Sequence, residues 1–89
     1  MKAIVTVTGK DKTGIIAGVS AKLSERGANI LDISQTVLQD YFAMIMLVDL
    51  SGLSVSFAQL GDELNIVGRQ MCMDIRIMRE EIFDAMHKI

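Results

Sequence analysis

The fold class predicted by this sequence is α+β: a four-stranded antiparallel sheet with two helices packed on one face. Three observations predict it. β-branched runs alternate with stretches of 3.6-residue apolar spacing in the order β-α-β-β-α-β, and a further helical stretch follows. Glycines or short polar segments stand at the boundaries between these stretches. The length, 89 residues, suits one small domain. That domain is expected to span residues 1–89, with a core of about 1–78 and a C-terminal helix of about 79–88.

Residues 2–8, Lys-Ala-Ile-Val-Thr-Val-Thr, are rich in β-branched types and read as the first strand. Gly9–Thr13 is a turn. Thr13 or Asp11 is placed to cap a helix running to about Arg26, where Gly27 supplies the stop. On that helix Ile15, Ile16, Val19 and Leu23 make one apolar stripe, and Gly18 and Ala21 are small enough for close approach to a sheet.

Ala28–Leu38 reads as the second strand. Leu31, Ile33 and Val37 point one way, with Gln35 as a polar exception, and Ile30, Asp32, Ser34 and Thr36 point the other. Gln39-Asp40 is a hairpin turn. Tyr41–Leu50 is almost wholly apolar, so it is expected to be a central strand buried on both faces. Ser54 is a candidate N-cap for a second helix carrying Phe57, Leu60, Leu64 and Val67, with Gly68 at its end. Met71–Met78 is the fourth strand, placing Cys72 within the sheet. From Arg79 onward, Ile82, Phe83, Met86 and Ile89 fall at helical spacing, suited to covering an open sheet face.

Two β-α-β units around a central hairpin make a split β-α-β, ferredoxin-like sandwich. Right-handed crossovers put both helices on one side, and the spatial strand order becomes 4-1-3-2. The two most apolar strands, the first and third, are then central, and the more polar second strand lies at an edge.

Composition narrows the function. Nine Lys and Arg against eleven Asp and Glu give a net charge of −2, which is no footprint for a phosphate backbone. The four aromatics, Tyr41, Phe42, Phe57 and Phe83, are too few and scattered for a base-stacking platform. The longest apolar run, Tyr41–Val48, is eight residues, far short of a membrane span. Met1-Lys2 leads into a strand-like run, not a signal peptide. A cytoplasmic protein with neither nucleic acid nor membrane as partner is expected. Counting Ala, Val, Ile, Leu, Met, Phe, Trp, Cys and Gly gives 51 of 89 residues, more than one small core absorbs, so a homodimer or higher homo-oligomer is expected.

Catalysis finds little support in the residues. Cys72 is the one cysteine, with nothing basic beside it in sequence to lower its pKa, so it reads as a buried inert thiol. Asp84 and His87 stand at i, i+3 on the last helix, but two ligands do not make a metal site. Glu80-Glu81 suit a helix N-terminus. Gly9 and Gly14 have phosphate-loop spacing, but Ile15-Ile16 stand where that motif needs Lys and Ser/Thr. No cofactor, metal or catalytic residue is expected, and the chain is read as no enzyme.

The same turn has the makings of a recognition site for a small zwitterion. Gly14 at a helix start allows close approach to the backbone. Free N–H groups of a first helical turn attract a carboxylate. Asp11 suits an ammonium group, Thr13 offers a hydroxyl, and Asn29 has both donor and acceptor.

Gly9-Lys10-Asp11-Lys12-Thr13-Gly14-Ile15-Ile16, then Val19, Leu23 and Gly27-Ala28-Asn29-Ile30-Leu31-Asp32, resemble the opening of an ACT domain. The segment is most similar to the ACT domains of formyltetrahydrofolate deformylases and glycine-cleavage regulators, and the whole chain looks like a stand-alone bacterial ACT protein. The motif covers about residues 9–32, and the element order covers about 1–78. The sequence departs from the family turn at Thr13, where proline is usual, which leaves the loop less stiff. The resemblance implies a regulatory domain that binds a small ligand, usually an amino acid, between two modules. Asp11, Thr13, Gly14, Ile15 and Ile16 would then line the pocket, and Asn29 and Ile30 would contribute from this subunit or a neighbouring one. With no catalytic or DNA-binding domain expected on the chain, such a sensor would act on a protein partner in trans. The alternative is a protein-interaction module without a small-molecule ligand.

Overall fold

A computed structural model describes residues 1–86 of the chain. The elements follow the expected order: β1 (Lys2–Lys10), α1 (Ile15–Glu25), β2 (Asn29–Leu38), β3 (Tyr41–Asp49), α2 (Phe57–Met71), β4 (Met73–Arg79) and α3 (Glu80–Met86). The strands form one sheet in the order β2-β3-β1-β4, and every neighbouring pair is antiparallel. This is the predicted 4-1-3-2 order, with β1 and β3 in the middle. His87 and Ile89 lie outside the described residues.

The core lies between the sheet and the helix pair α1–α2. Ala3, Val5 and Val7 of β1 face it beside Phe42, Met44, Met46 and Val48 of β3, and Met73 and Ile75 of β4 extend it. Ile15, Val19 and Leu23 of α1 and Leu60 and Leu64 of α2 close it from above. These are the stripes that 3.6-residue spacing marks out, and truncating such a leucine to alanine costs about 2–5 kcal/mol. Ile16, at the edge of the α1 stripe, is 37% exposed.

Several local expectations are corrected. Neither Thr13 nor Asp11 caps α1; Gly14 holds the N-cap position with φ 86° and no side-chain cap bond. Ser56, not Ser54, caps α2 by accepting from the Gln59 amide. Ser54 is occupied instead with the Arg26 carbonyl, to which both its amide and its hydroxyl donate. Gly68 does not end α2, which continues to Met71. Gly68 serves close packing: a methyl group there would lie 2.7 Å from the Met73 carbonyl. Met71 is therefore helical rather than extended, and Gly18 packs against its side chain instead of against the sheet.

Cys72 is the helix C-cap at φ 57°, exposed rather than buried mid-strand. The expected alternation of β2 breaks at Leu31. The register jumps from Ile30↔Val48 to Asp32↔Leu47, a bulge that consumes one residue. Ile30, Ile33, Gln35 and Val37 then lie opposite the core-facing Val48, Met46, Met44 and Phe42, so Ile30 shares a face with Ile33.

The opposite sheet face differs from expectation more than any helix does. β3 is central, yet Tyr41, Ala43 and Ile45 are exposed rather than covered. α3 lies beside β1 and β4 rather than in the α1–α2 layer. Ile4 is buried on this second face, which α1 and α2 do not reach, so α3 covers that end and leaves the rest open. No described residue of α3 is itself buried.

Candidate functional site

The β1–α1 loop is held at both ends. The Asp11 amide donates to the Asp40 carbonyl at 2.8 Å, tying the loop to the two-residue β2–β3 turn where Gln39 has φ 57°. At the other end Gly14 turns the chain through the left-handed region, which glycine enters without a Cβ penalty. Apart from its two chain neighbours, no described residue comes within 4 Å of where a Gly14 Cβ would stand, so the space beside it is open. The first intrahelical bond runs from the Gly18 amide to the Gly14 carbonyl at 2.9 Å. The amides of Ile15, Ile16 and Ala17 therefore have no backbone acceptor among the described residues, as expected of a first turn.

A cavity of about 330 Å³ opens beside this turn. Asp11, Lys12, Gly14, Ile15, Ile16 and Ala17 line it from the loop and helix, and Gln35, Val37 and Phe42 line it from the sheet. Four of the seven residues expected at a ligand site, Asp11, Gly14, Ile15 and Ile16, are thus brought together in one wall. Thr13 is exposed in the same loop but is not part of that lining.

Asn29 and Ile30 stand at the opposite end of β2 from Val37. At roughly 3.3 Å per residue, about 25 Å of strand separates them from Val37, which lines the cavity. Asn29 pairs with Asp49, at the far end of the hairpin from its turn. A site holding all seven residues needs a second chain.

The sheet-side lining was not anticipated. Gln35 stood out in the sequence only as a polar break in an apolar series, and its amide is the signal that marks the cavity floor. Val37 and Phe42 read as ordinary strand positions. A further shallow cavity of about 390 Å³ lies between α2 and β4, with Phe57, Gly61, Asn65, Ile75 and Ile77 in its walls. It shares no residue with the loop cavity.

The ion pairs of the helix layer gather on Glu25 and Glu63, at the far end of α1 from the loop. Glu63 of α2 accepts from Arg26 Nε at 2.6 Å and from Gln59 Nε2 at 2.9 Å, and Lys22 Nζ approaches it at 3.7 Å. The Arg26 hydrogen bond, then that of Gln59, holds the Glu63 carboxyl below the usual range. Asp49 is held low by the Ser51 hydroxyl and then by the Ser51 amide. Among the described residues no group of three or more His, Cys, Asp or Glu side chains is placed to hold a metal ion. No described helix is long and apolar enough to cross a membrane.

Comparison with known proteins gives a consistent picture. The family model described as an ACT domain matches residues 2–78. A UPF0237 protein of Clostridium acetobutylicum is 55% identical over 89 residues, which is the full length of both chains. Among solved structures, an ACT domain protein from Streptococcus pneumoniae superposes with a TM-score of 0.82 at 49% identity, covering 98% of each chain. A formyltetrahydrofolate deformylase from Burkholderia mallei shares the fold at a TM-score of 0.79 and 14% identity, over 88% of this chain and 28% of that one. A structure described as a putative glycine cleavage system transcriptional repressor does so at 0.74 and 22%, over 88% and 44%. The resemblance carried by residues 9–32 therefore extends across the chain.

Proposed function

The chain belongs to the ACT domain family, and from that premise we propose that it is a non-catalytic sensor that binds a small ligand, an amino acid by its chemistry, at a homo-oligomer interface. ACT domains are regulatory, ligand-binding domains. The observation that carries the reading is the 330 Å³ cavity beside Gly14, at the small end of the range for ligand sites.

Each part of a zwitterion has a counterpart there. The amides of Ile15, Ile16 and Ala17 face a carboxylate at the positive end of the α1 dipole. Asp11 takes the ammonium group. Ile15 and Ile16 flank the side chain, and Gln35 meets a polar group on it.

An edge-to-edge dimer completes the site. β2 is an edge strand, so its outer backbone groups are free to pair. Two copies related by a two-fold axis pair their β2 strands antiparallel. The start of one β2 then runs beside the end of the other. This brings Asn29 and Ile30 of one copy to the cavity of its neighbour. A ligand bridging the two chains favours the arrangement that it contacts best, and that population shift is the signal read by a protein partner in trans.

A thermal-shift screen against the amino acids and purines, with the mass in solution measured alongside, tests the proposal. A ligand at 100 times its Kd adds about 2.7 kcal/mol, several degrees at this size. An oligomer with a clear hit supports the sensor. A monomer with no hit sinks it. A stable oligomer without a hit favours the second reading, an interaction module, for which the exposed apolar sheet face is the motivating observation.

A further inference from the structure

We propose that the outer edge of β4, with the cavity between it and α2, is a docking groove for an extended segment of a partner protein, which adds to the sheet as a further strand. β4 is an edge strand, so the outward N–H and C=O groups of its alternate residues have no strand to pair with. The cavity of about 390 Å³ lies along that edge. A pocket over one face of a strand meets every second residue. This one meets Ile75, Arg76, Ile77 and Met78 in succession, so it opens on the backbone of the edge itself.

Gly61 holds the groove open. A Cβ at Gly18 would stand 3.1 Å from Met71 Sδ, and one at Gly68 would stand 2.7 Å from the Met73 carbonyl oxygen, so both of those helix glycines serve tight packing. Among the described residues, a Cβ at Gly61 would meet only Ile77 across the groove, at an ordinary 3.5 Å. A glycine inside a helix weakens it relative to alanine, and the packing of this chain does not ask for one here. What Gly61 provides is room over Ile77, beside the small Ala58.

The groove also has a polarity. α2 runs antiparallel to β4: Arg79 lies 4.9 Å from the centre of the Phe57 ring, Gly61 faces Ile77, and Gly68 faces Met73 and Ile75. Asp62 and Asn65 fall between the two glycines, exposed and on the Ile75 side of the groove. Neither Arg79 nor Asp62 makes an ion pair among the described residues. Arg79, Ile77 and Ile75 share the helix side of the sheet, since they pair with Ala3, Val5 and Val7. An incoming strand that pairs antiparallel, as every neighbour in this sheet does, offers side chains to them at every second position. An acidic side chain meets Arg79, an apolar one fills the space over Gly61, and a basic one reaches Asp62. Strand addition draws affinity from main-chain hydrogen bonds and specificity from pockets for alternate side chains. The occupant is therefore an extended segment of the pattern acidic-x-apolar-x-basic.

This deepens the reading that the chain acts on a partner in trans, and it rests on that part of the reading alone. It uses neither the loop cavity nor the β2 edge, and both β4 edges stay outermost when two β2 strands pair. The probe is the end-blocked peptide Thr-Glu-Thr-Leu-Thr-Lys-Thr, titrated into the full chain and followed by NMR shifts and amide hydrogen exchange. Saturable shifts along β4 and residues 57–65 are expected, with exchange slowed at alternate β4 amides. Gly61→Leu puts a side chain into the groove and is expected to weaken binding by about tenfold or more, the worth of one apolar side chain kept out of its pocket. Asp62→Lys, at an exposed position, is expected to weaken it several-fold, and the peptide with Glu in place of its Lys to restore it. Should Gly61→Leu fail to fold, Asp62→Lys and its rescuing peptide carry the test. No saturable binding at millimolar peptide, protection on β2 instead of β4, or unchanged affinity in either folded variant overturns the inference. A chain that takes an amino acid at the loop but not the peptide defeats this inference and leaves the sensor standing. A chain that takes the peptide with no amino-acid hit does the reverse.

Discussion

Arg26 donates its Nε to Glu63 Oε1 at 2.6 Å, joining the end of α1 to the middle of α2. The Glu63 side chain is 16% exposed and is also bonded by Gln59. Its folded-state pKa is depressed, first by Arg26 and then by Gln59. Such a group contributes stability above its unfolded pKa, near about 4.3 for glutamate, and loses it as pH falls through the folded value. Unfolding midpoints measured from pH 7 down to pH 3 are expected to fall in acid for the wild type. Glu63→Gln is expected to start lower at pH 7 and fall less steeply. Some slope remains in the variant, because Asp49 is depressed by Ser51 as well. Parallel curves for the two proteins would show that the bond is not linked to folding.

Gly27 and Gly14 share a left-handed backbone but not a neighbourhood. Gly27 has φ 83°, and a Cβ there would stand 2.2 Å from the Gly52 carbonyl oxygen. Gly14 has φ 86° and open space. Gly14→Ala carries only the left-handed penalty, about 1–2 kcal/mol. Gly27→Ala carries that and a backbone clash, so a loss of about 3 kcal/mol or more is expected. Urea denaturation of the two variants checks the difference, and equal losses would contradict it.

The same contrast shows what was legible in the sequence. Strand order and the core stripes followed from periodicity, because burying Val5, Val7, Val19 and Leu23 leaves one register for each element. The boundaries that went astray were decided by contacts distant in sequence. Ser54 looks like a cap until Arg26, twenty-eight residues earlier, claims it. Gly68 looks like a terminator until the Met73 carbonyl passes over it. Leu31 fits an alternating strand, and only the pairing with β3 reveals the bulge. Asp11, Gly14, Ile15 and Ile16 share one wall of the loop cavity because they lie within six residues of one another. Gln35, Val37 and Phe42 reach the same cavity through sheet pairing, which no local pattern encodes.

Gly14→Val and Gln35→Leu probe the cavity from opposite walls. Neither position contributes to the core. Gly14→Val fills the space beside the helix N-terminus, so it is expected to abolish the ligand-induced thermal shift while the domain still unfolds cooperatively. Gln35→Leu removes a donor and an acceptor and adds apolar surface. Loss of a hydrogen bond to an uncharged group costs about 0.5–1.5 kcal/mol, so affinity for a polar-side-chain ligand should fall up to about tenfold. Aliphatic ligands should lose less. Calorimetric titration of both variants with the hit from the screen reads these changes, and wild-type affinity in Gly14→Val would place the site elsewhere.

The sharpest prediction concerns which chain supplies Asn29. Within one copy, Asn29 and Asp11 belong to opposite ends of the β2–β3 hairpin, because Asn29 pairs with Asp49 while the Asp11 amide bonds Asp40. If the site joins the loop of one copy to the β2 start of the other, Asp11→Ala and Asn29→Ala each damage every site in their own homodimers. Mixed dimers behave differently. One of their two sites carries both substitutions, and the other carries neither. Random exchange makes half of the dimers mixed, so about a quarter of all sites become fully wild type. Co-refolding the two inactive variants and titrating with ligand should therefore recover about a quarter of the wild-type stoichiometry at wild-type affinity. A site built within one chain gives no recovery, since each copy then keeps its own lesion. The experiment needs no structure of the dimer, only a ligand and two variants that fold.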